Sequence, residues 1–222
     1  VEKSGVLNLG VEGMMVIGAL SGFAVTLQTG SFTLGILAAM IGGALMALLF
    51  AFMTQSLMAN QVATGLALTL FGLGLSALLG QGFSGQSVPN LPGLDIPLLS
   101  DIPVIGAMFF QFDILVYGSM VLVAVTTWFF AKTRTGLIIK AIGDNHDAAH
   151  SIGYNVVAFR YMTLMFGGAC AGVGGAYLSL AQTPLWVENM TAGRGWIALA
   201  LVVFGTWHPA RAMMGAYLFG GI

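Results

Sequence analysis

Apolar stretches close to twenty residues long recur along this chain, and no other feature restricts its fold so severely. They occupy residues 9–27, 32–52, 62–79, 114–131 and 161–181. About 20 residues of helix, rising 1.5 Å each, cross a hydrocarbon core roughly 30 Å thick. Barrel strands would alternate apolar and polar side chains, and these runs do not. Only 7% of the residues are charged, against about 25% in a soluble domain, too few to build a water-facing surface. The expectation is an all-α integral membrane protein. It is a polytopic helix bundle with about six spans or part-spans, forming a single domain over residues 1–222. The polar stub at Val1 and the apolar stretch at Ile222 read as a chain truncated at both ends, without a secretory signal.

The interruptions set the topology. "QTGS" (28–31) and "TQSLMANQ" (54–61) are short; a loop at about 80–112 is long and holds four of the six prolines, Pro89 to Pro103. A surface helix or a lid over a cavity fits that loop. Asp113 stands where it can cap the next run. Residues 182–195 form another loop. The twelve residues from Trp196 to Trp207 cannot cross alone, which predicts a half-helix paired with the segment after Pro209. Lys132, Arg134, Lys140 and Arg160 flank the interval of about 132–160 and mark it as cytoplasmic. Alternation then puts Lys3 and 54–61 inside, and 28–31, 80–112, Glu188 and Arg194 outside; His208 and Arg211 are left open. Gly18 with Gly22, and Gly168 with Gly172, place small residues four apart, the spacing of close helix packing in lipid or of a sliding surface. Cys170 lies in an apolar run and reads as a packing residue.

The polar island "KAIGDNHDAAHSIG" (140–153) contrasts with everything around it. Asp144 or Asn145 can cap a helix, Asp147 suits its first turn, and Gly153 can end it. A helix of about two turns is marginal alone and needs something to dock against. Connections between helices usually take about 2–8 residues, so an interval of this length points to function.

The stretch 136–178, with Ala141, Gly143, Asp144, Asn145, Ala148, Ala149, Gly153 and Asn155 in order, resembles the cytoplasmic loop and following span of ABC importer permeases of the branched-chain amino acid/ribose/nucleoside class. Residues 4–19, 60–80, 99–110 and 193–221 resemble further stretches of its nucleoside and simple-sugar branch. The resemblance covers nearly the whole chain. It implies a multi-pass translocation subunit in a prokaryotic inner membrane, with nucleosides as cargo and simple sugars as the alternative. It also implies a coupling helix, carried by Gly143, Asp144, Asn145, Asp147, Ala148, Ala149 and Gly153, that sits in a cleft of a separate cytoplasmic ATPase. ATP and Mg²⁺ would belong to that ATPase; the chain has no G-x-x-x-x-G-K-[ST] loop. No cofactor or nucleic acid is expected here. The implied partners are the ATPase, a second permease of the same or a related sequence, a periplasmic or extracellular substrate-binding protein, and membrane lipid.

Candidate pathway residues follow from polarity. Asn8 and Glu12 lie four apart where the first span begins, and a carboxylate there faces protein or a watery cavity. The other reading is a structural hydrogen-bonding pair at the cytoplasmic rim. Asn60, Gln61 and Thr64 open the third span, where neutral polar groups fit an uncharged, hydroxyl-rich ligand or cap helices. Phe83, Trp186, Glu188, Asn189 and Arg194 combine aromatic surface with charge on the outer side, as for docking a binding protein or anchoring at the interface. His146, His150 and His208 lack the companions of a metal site. A stand-alone secondary transporter would need several ionisable residues within the membrane, and beyond Glu12 the apolar runs carry none.

Overall fold

The computed structural model describes residues 1–93 and 113–220. Five helical segments there are long and apolar enough to cross a membrane: Val11–Thr29, Phe32–Ser56, Gln61–Phe83, Ile114–Lys132 and Val156–Gln182. Among the described residues the α-helices are, in chain order, α1 (Val11–Thr29), α2 (Phe32–Ala51), α3 (Gln61–Gly80), α4 (Ile114–Lys132), α5 (Arg134–Asp144), α6 (His146–Ser151), α7 (Val156–Tyr177), α8 (Arg194–Phe204) and α9 (Pro209–Gly220). Turns of π-helix extend α2 and α7, at Phe52–Ser56 and Leu178–Gln182. The predicted spans and the half-helix pair therefore form where the apolar runs place them. The centre of the 80–112 loop, with Asp95, Asp101 and the stretch 99–110, lies outside the described residues.

Polar side chains start these helices. Asn60 Oδ1 accepts from the Val62 and Ala63 amides at 3.0 and 3.1 Å, and Asn155 Oδ1 from the Ala158 amide at 3.0 Å. Each satisfies donors that a helix leaves open. Asp113 occupies the N-cap of α4 but makes no side-chain cap bond, contrary to expectation; its carbonyl receives the Val116 amide instead.

Helix α1 is the hub, packed by α2, α3 and α7. The two predicted small-residue clusters meet each other: a Cβ at Gly18 would collide with the Gly172 backbone, and one at Gly168 with Gly43 and Ala47. Gly18 faces Gly172 and Gly22 faces Ala176, a constant offset, so α1 and α7 run in the same direction. Both clusters are thus packing surfaces within the chain.

Two faces emerge at opposite ends of this bundle. Arg160 donates to the Ser4 carbonyl (3.2 Å) and Gln55 Oε1 (3.3 Å), and Ser56 and Tyr161 share a hydrogen bond of 2.5 Å. Residues 4, 55–56 and 160–161 therefore share one end with the basic residues, the basic face. At the far face, residues 84–88 join residues 184–186 through short bridges and a Val88 amide to Pro184 carbonyl bond of 3.0 Å. The alternation inferred from charge matches this arrangement for residues 54–61, 80–88 and the polar island.

Candidate functional site

The chain does not cross from residue 183 to residue 204 as one helix. It enters from the far face as irregular backbone, and α8 completes the passage. The depth of the join follows from α3. Leu7 donates to Gln61 Oε1 at the start of that helix (2.9 Å), the Gly65 position abuts Leu9 and Gly10, and Gly13 packs on Leu68 and Thr69. Glu12 therefore sits about 12 Å along a helix about 30 Å long, near mid-depth. It belongs to the start of α1, yet not to the rim, because residues 6–10 have already climbed beside α3 before α1 begins. That sets aside the pairing at the rim, one of the two readings that the sequence left open.

Glu12 is 3% exposed and grips the beginning of α8. Oε1 accepts from Thr191 Oγ1 at 2.5 Å and from the Gly193 amide at 2.8 Å; Oε2 accepts from the Gly195 amide at 2.6 Å. A carboxylate is acceptor-only, so three converging donors suit it. Charge-assisted bonds of this kind are short and about twice as strong as neutral ones. The half-helix points its open amides, and the positive end of its dipole, at the carboxylate. The partner of Glu12 is thus this loop and not Asn8. Asn8 (2% exposed) folds back on its own segment, accepting from the Gly10 amide at 3.0 Å and donating to Met14 Sδ at 3.4 Å.

Local sequence makes this cradle possible. Asn189, Ala192 and Gly193 have φ of 57°, 45° and 85°, a left-handed coil that turns successive amides toward one point. Asn tolerates that region and Gly favours it, while Ala192 holds it at a cost on the order of 1 kcal/mol. A Cβ at Gly195 would stand 2.7 Å from both the Cα and Oε2 of Glu12, so only glycine lets the helix start this close.

From there α8 descends to the basic face. Its following turn carries His208, whose proton affinity is lowered by the charge of Lys3, then by slight desolvation and by Arg211 and Lys140. Those lysines belong to the basic face, so His208 and Arg211, whose side was open from sequence, lie there too. Helix α9 then turns back along α8, with Ala212 against Gly205 and Leu201 near Gly215. Arg194, expected outside by alternation, stands instead at the mid-depth start of α8. It is exposed and donates to the Met190 carbonyl at 3.1 Å.

The remaining expected residues separate into distinct roles. Trp186 is 2% exposed and stacks against the Gly80 position, while Phe83 makes an edge contact with Phe23 at 6.4 Å. Trp186 is a core residue rather than a docking surface, because the joined loops 84–88 and 184–187 fold over the bundle, while Phe83 is half-buried at the edge of that core. Glu188 and Asn189 are exposed and line an open groove of about 330 Å³ with Leu73, Gly74 and Ala77 of α3. Asn60 and Gln61 act as cap and tether; Thr64 is half-buried on α3.

At the basic face Asn145, rather than Asp144, caps α6, accepting from the Ala148 amide at 3.0 Å; Asp144 ends α5. His146, Asp147, Ala148 and His150 are exposed, and Gly153, with φ of 95°, follows the helix end. Ala149 is 4% exposed and packs with Ile142 and Val156. The two alanines therefore do not both face outward: Ala149 docks α6 on its own chain and Ala148 faces away from it. Sequence reasoning missed Thr191, Gly193 and Gly195. The glycine pair just before a short apolar helix was the available signal.

A family model described as "branched-chain amino acid transport system / permease component" matches residues 1–222. A putative glucose ABC transporter permease of Haloferax volcanii is 44% identical over 223 residues, covering 99% of this chain and 68% of the relative. A nucleoside ABC transporter permease of Lactococcus lactis is 38% identical over 230 residues, covering 99% and 73%. A guanosine ABC transporter permease of Bacillus subtilis is 36% identical over 233 residues, covering 99% and 72%. No solved structure matches the chain.

Proposed function

From the premise that this chain belongs to the branched-chain amino acid transport permease family of ABC importers, we propose that it forms the translocation path for nucleosides. The observation that carries the path is the irregular backbone at 188–193, which enters the bundle to mid-depth. Non-helical backbone is tolerated at membrane depth where it is buried in protein or lines a watery cavity. Here Thr191 is buried against Glu12, while Glu188 and Asn189 line the groove and Arg194 is exposed at the start of α8. Charged groups on that side call for a watery passage rather than lipid.

The permease is a multi-pass membrane protein and a transport subunit. In our reading the basic face is cytoplasmic, in a prokaryotic inner membrane, and α6 is the coupling helix. A separate ATPase binds and hydrolyses ATP with its Mg²⁺ and receives the exposed face of α6. A second permease completes the pore, and a binding protein delivers cargo at the far face. Nucleosides are favoured by the two nucleoside-related relatives; simple sugars are the second reading, favoured by the 44% identity to the haloarchaeal relative. Both are uncharged and rich in hydroxyls, which neutral polar groups satisfy without a counter-charge. The test is uptake by the reconstituted importer in proteoliposomes, with labelled guanosine, uridine, ribose and glucose each supplied separately. Uptake of nucleosides alone supports the first reading; uptake of sugars alone replaces it with the second.

A further inference from the structure

We propose that residues 3–12 are a strut linking the cytoplasmic coupling elements to the mid-membrane half-helix, with Glu12 as its gripping end. The proposal rests on the coupling reading above and adds the route by which motion reaches the path.

The strut begins beside the coupling helix. Gly143, two residues before the Asn145 cap of α6, has no room for a Cβ: it would meet the Lys3 carbonyl and stand 3.1 Å from the Gly5 amide nitrogen. Backbone lies on backbone there, so displacement of the end of α5 meets residues 3–5 directly. Ser4 is fully buried; its carbonyl accepts from Arg160 Nε at 3.2 Å and its hydroxyl accepts from Thr163 at 3.2 Å. The same residues are thereby pinned to the start of α7, the helix that follows the coupling loop.

From Gly5 the segment climbs as a narrow ribbon. Leu7 is bound by Gln61, the Leu9 carbonyl accepts from Thr69 Oγ1 at 3.3 Å, and the Asn8 turn delivers the chain into α1. At its top, Glu12 holds two backbone amides and the Thr191 hydroxyl of the re-entrant segment. Interfaces packed this tightly shift as rigid pieces instead of deforming smoothly. A displacement entering at Gly143 would therefore leave at Gly195. Glu12 is in this account a positioning residue: it acts on the path by placing α8.

The test uses the complete reconstituted importer, with permeases, ATPase and binding protein. Cys170→Ala, Ala198→Cys supplies a thiol on the exposed side of α8, and its labelling rate is read with and without a non-hydrolysable ATP analogue. Uptake and ATP hydrolysis are measured on the same vesicles. With Glu12 intact, the analogue changes the labelling rate. Glu12→Gln should abolish that change and cut cargo transported per ATP hydrolysed by about tenfold, the scale of one lost charge-assisted contact, while ATP turnover persists. Glu12→Asp should restore part of both. Should Glu12→Gln fail to assemble, Thr191→Val, which keeps shape and removes one donor, should lower the transport ratio in the same direction. A nucleotide-dependent labelling change and transport ratio unaltered in Glu12→Gln, or unaltered in Thr191→Val where Glu12→Gln does not assemble, would overturn the strut alone. A complex with Glu12 intact that neither turns over ATP nor responds to the analogue would overturn the coupling reading along with it.

Discussion

Glu12 shows how much one side chain can organise inside a membrane. Its carboxylate takes three donors that would otherwise be buried without partners, at about 1–3 kcal/mol each. Glu12→Ala should therefore destabilise the purified permease by about 3–5 kcal/mol, seen as a lowered melting temperature in detergent. Gly195→Ala forces a methyl into the Glu12 backbone and should cost about 1–3 kcal/mol in the same assay. The sequence exposed Glu12 as an oddity, a carboxylate at the start of an apolar run. Its partners lie 179 to 183 positions away, a separation no local pattern encodes. Trp186, 2% exposed, failed as a docking residue for a similar reason: an aromatic in a polar loop reads as surface until the loop is seen folded back on the bundle.

Among the elements, α6 and the α8–α9 hairpin carry the clearest consequences. Ala149→Glu puts a charge into the contact with Ile142 and Val156 and should undock α6, lowering stability by several kcal/mol. Ala148→Glu, on the exposed side, should leave melting within about 0.5 kcal/mol of the starting protein while weakening co-purification of the ATPase. The turn after α8 should respond to pH. Lys3 and its neighbours lower the proton affinity of His208 when the chain is folded. The unfolded chain then binds the proton first as pH falls. Stability is complete above the ordinary histidine value and declines as pH drops below about 6.5 toward the lowered folded value. Melting curves between pH 7.5 and 5.5 should show this decline, and His208→Gln should reduce it. The helix caps were partly readable: Asn60 and Asn145 bind the amides that follow them, whereas Asp113 does not. The direction of α8 was not, because twelve apolar residues fit a descent from either side.

For the whole molecule, five apolar runs and a one-sided distribution of bases were enough to anticipate the spans and their order, because both are set by membrane thickness and charge. The re-entrant segment escaped the same reasoning: polar loops are assigned to water, and here a polar loop is carried inward by a buried carboxylate. That inward passage is the central claim. It is tested most directly by single cysteines at Arg194, Glu188 and Leu70 in a Cys170→Ala background, exposed to a hydrophilic, membrane-impermeant maleimide from the outside of sealed vesicles. The account predicts rapid labelling at Glu188→Cys, slower but measurable labelling at Arg194→Cys, and none at Leu70→Cys on the apolar exposed side of α3. An Arg194→Cys that reacts as fast as Glu188→Cys, or that stays inert from both sides of the membrane, would contradict it.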